Sequence, residues 1–268
     1  MFYWLVASLV LVLSGCASQQ TEPMTAQRYA ESARRAYEAA MDEYNDRSWE
    51  SATSMLEQIK REYSYSRYAR LAELRLADID YEQQKYPEAV TAYRSFIHDH
   101  PNDDHASYAR FRVCKSLFEQ TGETILLPPL EERDLAAAND AYTALQSFIA
   151  DFPAYARRPE AEYMLQYVTG LLARHELYAA RFYLNQDKFE PAVERVQYAL
   201  KHFRVSGLEP EALVILGETR LKMHQYDEAR QVFNTVIAEY PASAFTIAAR
   251  RFLKYLEEHP QPTSMNSN

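Results

Sequence analysis

One helical pattern recurs five times along this chain, and that recurrence constrains the fold more than any single motif. The segments are WESATSMLEQIKREYS (49–64), YPEAVTAYRSFIHDHP (86–101), AANDAYTALQSFIADFP (137–153), FEPAVERVQYALKHFR (189–204) and YDEARQVFNTVIAEYP (226–241). In each, an aromatic or small residue (Trp49, Tyr86, Ala138, Phe189, Tyr226) precedes an Ala by three positions (Ala52, Ala89, Ala141, Ala192, Ala229). Bulky apolar residues follow four later (Leu56, Tyr93, Leu145, Val196, Phe233), with a further apolar position three beyond (Ile59, Phe96, Phe148, Ala199, Val236). An aromatic or His closes each segment (Tyr63, His100, Phe152, Phe203, Tyr240), and Pro101, Pro153 and Pro241 follow in three of them. Spacings of i, i+4 and i+7 put the apolar residues on one helical stripe, Ala permits close approach of a second helix, and Pro stops the helix. The chain is therefore expected to be all-α. Only 5 Gly in 268 residues, against a usual share of about 7%, leaves little material for hairpin turns or phosphate-cradling loops.

The pattern resembles the tetratricopeptide repeat (TPR), best in the last unit, where Leu216-Gly217, Tyr226, Ala229, Phe233 and Pro241 stand at the consensus spacings. The resemblance implies a TPR-like helical solenoid of about five helix-turn-helix units over 26–258, with units ending near 64, 101, 153, 204 and 241. Successive ends are 37, 52, 51 and 37 residues apart, so the third and fourth units are enlarged. In the fourth, Glu160 to Gln186 contains no Pro, and four extra helical turns would keep the apolar face in register, so a prolonged first helix is predicted. In the third, GETILLPPL (122–130) cannot continue a helix and reads as a loop. A capping helix is expected over 242–258, with Phe245, Ala249, Phe252 and Leu256 facing inward, and the tail 259–268 is expected to be disordered.

The N-terminus carries a different signal. Residues 1–15 contain no Asp, Glu, Lys or Arg, and the apolar run FYWLVASLVLVL is too short to span a bilayer but has the length of a secretory h-region. It ends in Leu13-Ser14-Gly15-Cys16, which resembles a bacterial lipobox, although no Lys or Arg precedes the run. That resemblance implies removal of 1–15, with Cys16 lipidated on its sulfur by diacylglycerol and on its amine by an acyl chain. Residue 17 is Ala, not Asp, which by the lipoprotein sorting rule implies the outer membrane. The stretch 16–25 reads as the lipidated Cys and a flexible tether.

No catalytic or metal-binding motif emerges. A net charge of −9 argues against a nucleic-acid surface. The segment His98-Asp99-His100-Pro101-Asn102-Asp103-Asp104-His105 holds zinc-type ligands, but it falls at a repeat end, where Asp103 or Asp104 is expected as a helix N-cap. His175-Glu176 is half of an HExxH motif, with Ala179 at the second His position. Cys114, in a helical run, reads as a small buried residue. No cofactor is expected beyond the lipid on Cys16.

Binding is the expected role, since helical solenoids present extended concave surfaces. With consensus phase, the groove-facing residues of the first helices are Tyr37, Met41 and Tyr44 in unit one, and Leu74, Asp78 and Tyr81 in unit two. They could hold an extended peptide rich in aromatics, or pack within their own repeats. Ile125, Leu126 and Leu127 in the third-unit loop could likewise dock a partner or fold back.

Lipobox, tether, five TPR-like units with enlarged third and fourth members and a capping helix together resemble the BamD family, lipoproteins of the outer-membrane β-barrel assembly machinery. The supporting residues are YSYSRYA (63–69), Tyr86-Pro87-Glu88-Ala89, Phe96-Ile97, His100-Pro101-Asn102, Arg133-Asp134, Phe148 and Phe152-Pro153. The departures are the fourth unit's end at Phe203-Arg204 without Pro, and the Pro-Pro loop. The resemblance implies a non-catalytic scaffold on the periplasmic face of the outer membrane. Its N-terminal repeats would meet unfolded outer-membrane protein segments, its C-terminal repeats would meet a BamA-like barrel protein, and other assembly-complex lipoproteins would be partners. The alternatives are another TPR lipoprotein, such as a type IV pilus secretin-assembly factor or a cell-division coordinator, or an envelope hydrolase on a TPR scaffold. Pilus factors tend to a regular 34-residue spacing, which the 52 and 51 intervals do not fit.

Overall fold

The structure is a computed structural model that describes residues 25–122 and 135–259. The described residues form eleven α-helices and no strand: α1 Ala26–Asn45, α2 Trp49–Glu62, α3 Arg67–Glu82, α4 Tyr86–Asp99, α5 Ala106–Glu119, α6 Ala136–Asp151, α7 Arg158–Asn185, α8 Phe189–His202, α9 Glu209–Lys222, α10 Tyr226–Glu239 and α11 Phe245–Glu258. The leader, the tether with Cys16, the loop with Ile125, Leu126 and Leu127, Arg133-Asp134 and the tail from 260 lie outside the described residues.

Each helix packs on its neighbours in sequence, which makes five antiparallel pairs and a closing helix, α11. The first helices of the pairs also touch one another, α1 on α3, α5 on α7, α7 on α9 and α9 on α11, and so form the inner layer of a solenoid. The second helices pack as their repeat pattern requires. Ala52, Ala89, Ala141, Ala192 and Ala229 are all 0% exposed, and the bulky position after each is equally sealed. Tyr63, His100, Phe152, Phe203 and Tyr240 are the C-cap residues of the five second helices. The prolonged first helix of the fourth unit is α7, 28 residues without a break. Apolar contact is continuous from unit two to α9, flanked by a cluster over α1–α3 and another over α9–α11.

The turns inside the units repeat as closely as the helices do. Arg47, Gln84, Asp187 and His224 each stand two residues before a second helix, and all have positive φ, between 54° and 61°. Gln84 shows the reason: its N–H bonds to the Tyr81 carbonyl at 2.9 Å and the Lys85 N–H reaches back to the Asp80 carbonyl at 2.8 Å. That is the paired closure of a Schellman motif, which needs a left-handed residue after the helix and favours Gly there. No Gly occupies these positions, so each carries a left-handed penalty. Gln84→Gly is expected to raise stability by about 0.5–1 kcal/mol; a lower unfolding midpoint in urea would refute this.

The expected N-cap of α5 is a correction. His105 occupies the cap position with no side-chain bond to the helix N-terminus, its ring Nδ1 instead meeting Asp103 Oδ1 at 2.9 Å, and Asp103 is used differently. It accepts the His105 backbone N–H at 2.9 Å and the Arg70 Nε from α3 at 2.8 Å, tying the turn to the preceding unit. The nearby His100 Nε2 contacts Glu73 Oε2 on α3 at 2.9 Å. Among the described residues no three His, Cys, Asp or Glu side chains gather as a metal site. Cys114 is buried on α5, and burial pushes its thiol up to about 12.

Candidate peptide-binding groove

The inner layer is not filled uniformly. Between α3 and α5 the first helices are joined by long polar side chains meeting at one carboxylate. Asp78 on α3 is 1% exposed and accepts hydrogen bonds from the hydroxyls of Tyr93 on α4 and Tyr108 on α5, the latter at 2.7 Å. Its second oxygen pairs with Arg75 one turn earlier on α3, and Arg112 Nε on α5 lies 3.4 Å from the first. Arg112 also donates to the Tyr93 hydroxyl at 2.9 Å and spreads over the Tyr81 ring, 3.9 Å from its centre. Tyr81 donates to Glu119 Oε1 at 3.1 Å, and Arg75 Nε donates to the Tyr37 hydroxyl on α1 at 3.3 Å. Three consecutive first helices are therefore linked through this cluster.

A buried carboxylate persists only when its lone pairs are filled and its charge is matched. Asp78 meets both conditions, with two guanidinium groups and two phenols around it. Burial works against the charge of Arg75 and Arg112, yet Asp78 beside Arg75, and the Tyr93, Tyr108 and Asp78 oxygens around Arg112, hold both above the ordinary arginine value. Burial first, and the Asp78 charge second, push the Tyr93 and Tyr108 phenols well up, so both stay protonated donors. Two cations face one carboxylate, and Arg75 remains 26% exposed at the inner surface. With Glu119 joined through Tyr81, two carboxylates stand against the two cations, and Arg75 is the guanidinium that reaches solvent beside the tyrosine rings.

Of the predicted groove residues, Tyr37, Asp78 and Tyr81 join this one cluster. Tyr44 is half-buried, edge-on to Trp49 with ring centres 5.5 Å apart, and Asp78 is among the charges that act on its phenol. Met41, on α1 between the two tyrosines, is also half-buried. Two assignments need correction. Leu74 is fully buried in the central core, and Asp78 is sealed beneath its partners, so neither offers a surface to a ligand. Arg75, the residue after Leu74, is the partly exposed α3 side chain of this cluster. Arg75 and Arg112 were both missed, though a signal exists: they are 37 residues apart, the interval between the ends of the first two units, as are Glu82 and Glu119. Ile125, Leu126, Leu127 and Cys16 lie outside the described residues.

Elsewhere, Glu176 of the half HExxH motif pairs with Arg195 on α8 at 3.1 Å. No described helix is long and apolar enough to cross a membrane.

A family model described as YfiO, outer membrane lipoprotein, matches residues 29–232. The chain is 26% identical over 245 residues to the outer membrane protein assembly factor BamD of Neisseria meningitidis serogroup A / serotype 4A, covering 90% of this chain and 92% of that protein. It is 25% identical over 242 residues to the protein of the same name from Caulobacter vibrioides, covering 90% and 76%. Among solved structures, a MamA fragment from Desulfovibrio magneticus RS-1 is similar at 17% identity and a TM-score of 0.38, over 83% of this chain and 99% of that one.

Proposed function

The chain belongs to the YfiO family of outer membrane lipoproteins, and on that premise we propose that it is a periplasm-facing scaffold for the assembly of outer-membrane β-barrel proteins. The observation that carries the reading is the end-to-end alignment, in which 90% of this chain pairs with 92% of a relative named for outer membrane protein assembly. In this reading Cys16 bears the diacylglycerol and N-acyl chains that hold the protein at the membrane, more than one chain being needed for stable attachment. The role contains no catalytic step. The C-terminal units meet a BamA-like barrel protein, other assembly-complex lipoproteins join it, and the groove of the first three units receives unfolded outer-membrane protein segments.

The groove chemistry supports that last assignment. Tyr37 and Tyr44 offer apolar rings with polar tips, and the partly exposed Arg75 offers a cation to carbonyls or carboxylates of an extended chain. Tyr44→Ala and Arg75→Gln are each expected to weaken binding of an aromatic-rich peptide from an outer-membrane β-strand about 5- to 30-fold, the span of a moderate interface contact. Titration of a labelled peptide measures this, with circular dichroism as the control on folding. Unchanged affinity in both variants would remove the groove from the proposal.

The wider role is tested by affinity purification from detergent-solubilised envelopes. Recovery of a large β-barrel protein with periplasmic repeat domains is the expected result, while recovery of a secretin in its place would overturn the assembly role.

A further inference from the structure

The first helices of units two and three, α3 and α5, run parallel, and they end on glutamates 37 residues apart, Glu82 and Glu119. The unpaired carbonyls of a helix C-terminus make that end electronegative, and neither last turn holds a basic residue to offset it. The charges of the cluster leave one carboxylate over. Arg75 and Arg112 balance Asp78 and Glu119, and Glu119 also accepts the Tyr81 hydroxyl. Glu82 is exposed and pairs with no cation among the described residues. Burial raises the Asp80 carboxyl and Lys85, in the turn after Glu82, opposes it, which places that cation beside Asp80.

Aromatic rings supply the second argument. Tyr86 packs edge-on against Tyr81 with ring centres 5.3 Å apart. Burial first, then the Glu119 and Glu82 charges, push the Tyr86 phenol up, and Glu82 is also among the charges that raise the Tyr44 phenol. Tyr44, Tyr81 and Tyr86 are all half-buried, so each keeps part of its ring at the surface. One of these rings already carries a cation, since the Arg112 guanidinium stands 3.9 Å from the centre of Tyr81. The free faces belong to Tyr44 and Tyr86, whose phenols both feel the Glu82 charge.

We propose that Glu82 sets which segments the groove accepts, selecting those in which a Lys or Arg side chain neighbours an aromatic residue. The basic head group meets Glu82 at the electronegative rim, and its apolar stem lies on the Tyr44 and Tyr86 rings. Arg75 stands seven residues earlier on α3, about 10 Å along the helix, and repels a base from that end of the groove. The two charges therefore also fix the direction in which a segment lies. The inference rests on the groove reading given above.

The test titrates the full acylated chain, in nanodiscs of phosphatidylcholine, with three labelled peptides that differ at one position beside an aromatic pair: Arg, Gln or Glu. The parent protein should bind the Arg peptide about 10-fold tighter than the Gln peptide, as expected for one partly exposed ion pair together with a cation on aromatic rings. The Glu peptide should bind most weakly, and added salt should narrow the whole spread. Glu82→Gln should cut the Arg preference to about 2-fold while the Gln peptide binds as before, and Glu82→Lys should turn the preference towards the Glu peptide. The urea midpoint should hold or rise in both variants, because a negative charge leaves a helix C-terminus. Glu239→Gln, the same change at the last residue of α10 in the fifth unit, should leave the preference unaltered. Equal affinity for the Arg and Gln peptides, or a preference that survives Glu82→Gln, overturns the proposal and leaves the groove in place when Tyr44→Ala still weakens all three peptides. Binding of none of them, or indifference of all of them to Tyr44→Ala, removes the groove and the proposal together.

Discussion

Replacing Asp78 by Ala is expected to cost about 3–5 kcal/mol, because it leaves two largely buried guanidinium groups without their carboxylate. Arg112 sits deep in the cluster, and its remaining partners are neutral phenols. The Tyr93 and Tyr108 hydroxyls also lose their acceptor, each an unsatisfied donor in a dry environment. At about 2–4 °C per kcal/mol for a chain of this size, the thermal midpoint of the first three units should fall by about 10 °C. Asp78→Asn, which keeps an acceptor but not the charge, should fall between Ala and the parent. Asp78→Leu combined with Arg75→Met and Arg112→Met should recover most of the loss, since an apolar replacement of a whole ionic cluster is often neutral or better. A loss below about 1 kcal/mol for Asp78→Ala would mean that water already solvates the arginines, and the cluster would then not be the joint between units described here.

The second large effect lies at the other end. Phe233 on α10 is fully buried and stacks on Phe252 of α11 with ring centres 4.9 Å apart and 10° between planes, so Phe233→Ala should cost about 3–5 kcal/mol in the last unit. Gly217 on α9 faces that ring edge: a Cβ there would stand 2.5 Å from Phe233 Cε1 and 2.7 Å from Cζ. Gly217→Ala should therefore destabilise by about 1–3 kcal/mol, overriding the gain of about 1 kcal/mol that Ala brings to a helix interior. In the Phe233→Ala background the collision is gone, and the same Gly217→Ala change should turn stabilising. A double-mutant cycle by urea unfolding reads this reversal of sign. Equal costs in both backgrounds would show that the ring is not what excludes a side chain at 217.

The two ends also show why some of this structure could be read from sequence and some could not. Second helices bury a single stripe, so an i, i+4, i+7 pattern fixes which face turns inward, and the five aligned Ala positions all reach zero exposure. First helices are enclosed on several sides, by two second helices and by other first helices. Val168 to Ala173 on α7 are six consecutive buried residues, and Phe111 to Cys114 on α5 are four. Burial around the whole circumference erases the periodic signal, which is why consensus spacing on α3 selected the buried Leu74 and passed over Arg75. The four left-handed turn residues were equally hidden, because Arg47, Gln84, Asp187 and His224 share no chemistry that announces positive φ.

Sequence alone determined the class, the repeat and its family, because each depends on local pattern: helical spacing, Ala where helices touch, and the interval between unit ends. It also supplied the tyrosines of the groove as a set. Only the tertiary structure decided which polar groups meet, since Arg75, Asp78, Tyr93, Tyr108 and Arg112 come from three helices and acquire a common role only when those helices stack. Charge compensation at a buried site is a property of distances between units. No periodicity within a unit encodes it.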